Sequence, residues 1–278
     1  MRIIEPRQLN IPKPKRSRKK RKIGSLVLLL LACSGLAWQL IDAQASPLVQ
    51  PSSTVPEPTK PRALKTFTGL EFLALHNTIS HADVNKITES PGITGSTKAD
   101  VRIKSIAIKR GYKLHGSPSV PLGKTPEGFP LQPKAIDSWL SLKDAAAKDG
   151  INLGLVSTYR SVDEQRLIFM QRLEAAGASV AAVAAGEADD LVDRALTTTS
   201  IPGYSRHHTG YAADFKCGNE DFNFFVNTTC FAWLSKNNYQ HAKNFGWIPS
   251  YPPDVANQGP DPEAWEYVWV GREALLEE

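Results

Sequence analysis

Three cysteines in 278 residues are too few for a disulfide framework. The chain also has no internal repeat and no phosphate-binding glycine loop. Acidic residues are nearly missing from the first 45 positions, where ten of the 33 Lys and Arg stand beside only Glu5 and Asp42. Residues 46–278 then hold 23 basic and 26 acidic side chains, a net of −3. The overall charge of +5 therefore describes a short basic arm and not a basic binding face, and nucleic acid drops out as a partner. With 41% hydrophobic and 22% charged residues, the balance excludes collagen, wholesale disorder and a polytopic membrane protein.

Charge is absent altogether from Ile23 to Ile41, directly after the basic run Lys13 to Lys22. A helix of that length spans just under the ~30 Å hydrocarbon core at about 1.5 Å per residue. The Lys/Arg bias predicts a cytoplasmic arm over 1–22, a transmembrane anchor or signal segment over 23–41, and everything after it outside the cytoplasm. Two other endings stay open: Ala43-Gln44-Ala45 has the form of a signal-peptidase site, and Leu31-Ala32-Cys33 loosely resembles a lipoprotein box. Residues 42–66 read as a Pro-rich linker. In an exported domain Cys217 and Cys230 can close a short disulfide loop; two separate buried thiols are the alternative.

From 67 to 119 the pattern gives a small helical or α+β module of no assignable role, and Val120–Pro133 connects it to the main domain, 120–278. There, Ile136, Trp139, Leu140 and Leu142 to Ala146 predict a helix ending at Gly150, followed by a strand from Ile151. Ser161 and Glu164 fit a capping box, which sets Arg160 at a strand-to-helix junction. Beyond it the sequence predicts an alanine-rich helical region (175–196), a loop (197–204), an apolar stretch at Tyr211–Phe215 and a helix over Phe224–Asn237. Late strands are expected near Trp247–Ile248 and Trp265–Val270.

Two clusters carry chemistry. His207 and Asp214, seven positions apart across a glycine turn, can bring an imidazole nitrogen and a carboxylate oxygen to one cation, a pair zinc accepts. Glu263 and Glu266, three apart at the entry to a strand, could divide a hydrolytic site between holding a metal and moving a proton. Taken singly, each cluster also reads as loop residues or solvated glutamates. His76, His81, His115 and His241 have no partner at ligand spacing and read as surface or packing residues, and His208 as a structural neighbour of the site.

The order Ser157-Thr-Tyr159-Arg160-Ser161 with Gln165, then Ser205-x-His207-x-x-Gly210-x-Ala212-x-Asp214, then Glu263-x-Trp265 and Val270-Gly271 resembles the VanY-type D-alanyl-D-alanine carboxypeptidases, zinc peptidases of bacterial peptidoglycan. The resemblance covers roughly residues 130–272. It implies a compact α+β metallopeptidase domain with a small antiparallel sheet flanked by helices. It further implies His207 and Asp214 as zinc ligands, Glu263 as general base, and Arg160, Tyr159, Gln165 and Ser205 around the substrate. The family's third ligand, a histidine after the tryptophan, is Glu266 here. A His207-Asp214-Glu266 set can still bind one Zn²⁺, and its extra carboxylate favours a harder ion such as Mn²⁺. The expected activity is carboxypeptidase cleavage of D-alanine-terminated stem peptides in the cell envelope. An inactive wall-peptide-binding module, or an L,D-carboxypeptidase or endopeptidase, is the alternative.

Overall fold

A computed structural model describes residues 62–278. The basic arm, the 23–41 segment and the linker up to residue 61 lie outside the described residues. Among the described residues no helix is long and apolar enough to cross a membrane. The last linker residues do not form a free spacer: Leu64 bridges Leu276, Lys65 N donates to Leu275 O at 2.8 Å, and Glu277 N donates to Ala63 O at 2.8 Å. The two ends of the described chain are thereby tied together.

Helix α1, Gly69–Thr78, starts at a Thr68–Glu71 capping box, and α2, Thr97–Lys109, starts at Ser96. Two-residue ladders pair β1 (Val84–Asn85) with β2 (Ser117–Pro118) and β3 (Gly123–Lys124) with β4 (Pro130–Leu131). Helix α3, Pro133–Lys148, opens on proline, which has no amide hydrogen to leave unpaired there, and it buries Trp139, Leu142 and Ala146 along one stripe. Strand β5, Leu153–Ser157, leads into α4, Val162–Ala175, where the Ser161–Glu164 capping box forms as expected. The alanine-rich stretch is not one helix. It divides into the end of α4, α5 (Val180–Ala185) and α6 (Asp189–Leu196), because Ser179 caps a new start and Gly186 takes the left-handed conformation that ends α5.

Strand β6, Ala212–Cys217, is followed by a 3₁₀ turn at Phe222–Asn227 and by α7, Thr229–Asn244. The helix expected over Phe224–Asn237 is thus shifted: Thr228 caps its true start, and its regular backbone breaks at Lys236–Tyr239. Strands β7 (Trp247–Pro249) and β8 (Glu266–Trp269) complete an antiparallel sheet of order β5-β6-β8-β7. A bridge between Cys217, at the end of β6, and Cys230, in the first turn of α7, joins the two elements with Cα atoms 5.6 Å apart.

Two apolar clusters fill the fold. One packs Trp139 of α3 and Leu234 of α7 against Phe215, Trp247 and Tyr267 of the sheet, with the Phe215 and Tyr267 rings stacked at 4.8 Å. The other gathers Ile103 of α2, Phe169 of α4, Val183 of α5 and Val192 and Leu196 of α6. Residues 67–119 are therefore no separate module. Phe72 belongs to the first cluster, Ile103 and Tyr112 belong to the second, and the described residues all fall in one compact unit.

Candidate metal centre

The sheet register builds the site. Asp214 of β6 lies directly opposite Glu266 of β8, and Ser157 of β5 lies on the other side of Asp214. Two carboxylates facing each other across an antiparallel pair cost stability unless a cation stands between them. His207 reaches the same point from the 3₁₀ turn Arg206–Thr209, which ends on Gly210. Gly210 has φ +73°, a left-handed conformation that glycine adopts without the strain a side chain would add, and this lets the chain turn tightly from His207 into β6.

His207 Nδ1 bonds to the Thr158 carbonyl, which leaves Nε2 facing Asp214 Oδ1 at 3.4 Å and Glu266 Oε2 at 3.3 Å. This is the arrangement by which a backbone acceptor fixes a metal-binding imidazole. One donor atom from each of the three residues lies within 4.8 Å of the others. All three residues are buried, and Asp214 Oδ1 has no hydrogen-bond partner among the described residues. An unpartnered buried carboxylate oxygen beside an imidazole nitrogen and a second carboxylate fits a divalent cation.

The electrostatics agree. Burial alone would push the His207 imidazole down, but Asp214 and Glu266 outweigh it and raise it to about 10. The same field that holds a proton there attracts a metal ion. Burial and the carboxylates of Glu266 and Asp214 push Glu263 well above the usual carboxylate range. Glu266 is held low despite its burial, by His207 foremost, then Arg206 and the Ser250 hydroxyl.

His207, Asp214, Glu266 and Glu263 open onto a cavity of about 870 Å³ that Arg160 and Ser205 also line. Gln165 and Tyr159, expected at the substrate, do not line it. Gln165 is fully buried beneath Arg160: its Oε1 accepts from Arg160 Nη1 at 2.9 Å, while its Nε2 donates to Ser200 O at 2.7 Å. Arg160 Nη2 also donates to Ser157 Oγ at 3.1 Å, so two contacts aim the guanidinium. His208 links two loops, with Nε2 accepting from Gly203 N and Nδ1 bonding to Arg160 O.

Four supporting residues had no signal in the sequence. Arg206 and Ser250 stand behind Glu266. Arg110, at the end of α2, donates to Asp193, Asp261 and Gly259 O, and Tyr112 donates to Leu196 O. The segment without an assignable role thus braces the loop that carries Glu263. Partners 83 and 151 positions away leave no local pattern to read.

A family model described as VanY, D-alanyl-D-alanine carboxypeptidase, matches residues 129–272. The putative carboxypeptidase YodJ of Bacillus subtilis (strain 168) is 29% identical over 150 residues, 52% of this chain and 48% of the relative. The match thus spans about half the length of that curated protein. Among solved structures, VanYB in complex with D-alanine-D-alanine is 27% identical with a TM-score of 0.42, over 56% of this chain and 80% of that one. A VanY D,D-pentapeptidase from a VanB-type resistance cassette, in complex with Zn(II), is 24% identical with a TM-score of 0.43, over 60% and 90%. The LD-carboxypeptidase LdcB is 24% identical with a TM-score of 0.46, over 69% and 86%.

Proposed function

The chain belongs to the VanY family of D-alanyl-D-alanine carboxypeptidases, and from that premise we propose that it removes the terminal D-alanine from peptidoglycan stem peptides with one divalent ion, Zn²⁺ or Mn²⁺. The observation that carries this reading is the buried His207-Asp214-Glu266 cluster with its unpartnered carboxylate oxygen, opening onto the same cavity as Glu263 and Arg160. His207 Nε2, Asp214 Oδ1 and Glu266 Oε2 would hold the ion, which when bound supplies Lewis acidity to a peptide carbonyl and to water.

The chain's own groups do the rest. Arg160, aimed by Gln165 and Ser157, offers its planar fork to the free carboxylate of the last residue, which sets the scissile bond one residue in from the end. Glu263 lines the cavity outside the three-residue cluster, free to take the proton of the attacking water at its carboxylate and to return it to the amine of the departing D-alanine. Ser205, buried at the wall, is placed to orient the peptide. We place this domain outside the cytoplasm, held at the membrane by the uncharged 23–41 segment or released after Ala45. There such peptides are exposed.

Mass spectrometry of muropeptides incubated with the purified protein tests the reading. Loss of one alanine from pentapeptide stems, abolished by a chelator and restored by Zn²⁺ or Mn²⁺, is the expected result. The substitution of Glu266 for histidine favours one second reading, a module that binds wall peptides without cutting them; peptide binding with no metal uptake and no cleavage would replace the first reading by this one. Cleavage at an L,D bond or a cross-link would keep the chemistry and change the substrate.

A further inference from the structure

Arg206 is 4% exposed, yet among the described residues its guanidinium pairs with no carboxylate. Its Nη1 donates to the carbonyl and hydroxyl oxygens of Ser250, and its Cζ lies 3.9 Å from the centre of the Tyr251 ring. A buried cation needs a counter-charge, and the next group along is Glu266: Ser250 Oγ donates to Glu266 Oε1 at 2.5 Å. Ser250 N also donates to Glu266 O at 2.9 Å, so the two residues are fixed by backbone as well. One oxygen of Glu266 is thereby occupied, and Oε2 alone faces His207.

Charge gives the arrangement its reason. At the His207 cluster Glu266 brings a carboxylate where a histidine would bring a neutral imidazole, one negative charge more, and burial leaves that charge with little water around it. Arg206, one residue behind, sets a positive charge against it through Ser250. A histidine in place of Glu266 would need no such partner.

The geometry points to Arg206 and Ser250 as positioning residues that make Glu266 a working one-oxygen metal ligand, Arg206 acting in series through the Ser250 hydroxyl. This inference rests on the reading that Glu266 binds metal. Loss of an outer partner of a metal ligand weakens metal affinity by about 10–100-fold. Ser250→Ala removes a single oxygen, and Arg206→Lys keeps the charge but not the fork, so neither replaces charge by a void.

The test is a calorimetric titration of the chelator-stripped full chain with Zn²⁺ and with Mn²⁺, in the native and the Glu266→His backgrounds. Ser250→Ala should weaken binding about 10-fold in the native background and less than about 3-fold beside Glu266→His. Arg206→Lys should weaken it in the same direction, and the Ser250→Ala/Arg206→Lys double variant should lose no more than the worse single one. Thermal unfolding of the metal-free proteins separates a misfolded variant from a misplaced ligand. If Arg206→Lys fails to fold, the Ser250→Ala cycle alone decides. Equal losses in both backgrounds, no loss, or tighter binding after Ser250→Ala would overturn the positioning role while leaving the metal reading intact. Native protein that takes up neither ion would overturn the metal reading, and this inference with it.

Discussion

Reduction of the Cys217–Cys230 bridge should destabilise the folded unit without emptying the site. The two cysteines are 13 positions apart, so the bridge closes a loop of about fourteen residues, and the loop-entropy relation assigns it about 3 kcal/mol. The unit it restrains spans residues 62–278, whose unfolding entropy at about 2.1 cal/mol/K per residue comes to roughly 0.46 kcal/mol/K. The quotient is a fall in Tm of about 6–7 °C. Asp214 stands three residues before Cys217 but is held by pairing with β5 on one side and β8 on the other, so its place does not depend on the bridge. Calorimetry with and without a thiol reductant, with the Cys217→Ala/Cys230→Ala variant as control, measures the effect on an otherwise identical chain. A fall below about 2 °C, or an equal fall in the variant that has no bridge to reduce, would refute the loop-entropy account. Metal lost on reduction would refute the claim that strand pairing alone holds Asp214.

Glu263→Gln should leave metal content unchanged and lower kcat by about 10²–10⁴-fold, whereas Glu266→Ala should lose the metal itself; metal analysis beside kinetics separates the two, and metal loss in both variants would put Glu263 among the ligands. Arg110→Ala removes two contacts to the Glu263 loop and the one that ties them to α6, so kcat should fall at least about tenfold with metal affinity kept, and unchanged turnover would make that brace purely structural. Burial foremost, then the charges of Arg206 and His208, lower the His115 imidazole from 6.5 to about 3. Below pH 6.5 the unfolded chain takes a proton at His115 that the folded chain refuses, so stability falls as pH drops from about 6.5 towards 3. At pH 5 the loss at this residue is about 1–2 kcal/mol. Thermal melts at pH 7 and pH 5 should lie closer together for His115→Gln than for the native protein, and equal shifts in both would clear His115 of the acid sensitivity.

The residues that resemble the VanY family were legible because each motif is local: Ser205 to Asp214 spans ten positions, and Glu263 to Glu266 four. Local rules also placed α3, β5, the Ser161 cap, β7 and β8, where apolar periodicity or a short cap sequence fixes an element within a few residues of itself. At 175–196 they gave the helical character but not the breaks set by Ser179 and Gly186, and they failed at 224–237, where an aromatic run is compatible with one helix and Thr228 decides otherwise. Sequence alone named His207, Asp214 and Glu266; only the antiparallel register of β6 and β8 could set Asp214 opposite Glu266, 52 positions later in the chain. Gln165 shows the opposite limit, since its motif position suggested the substrate and its burial made it a brace for Arg160. Arg206, Ser250 and Arg110 belong wholly to the tertiary structure. A hydrogen bond to a carboxylate, or the burial of a cation, depends on which distant segments the core brings together, and no spacing along the chain records it.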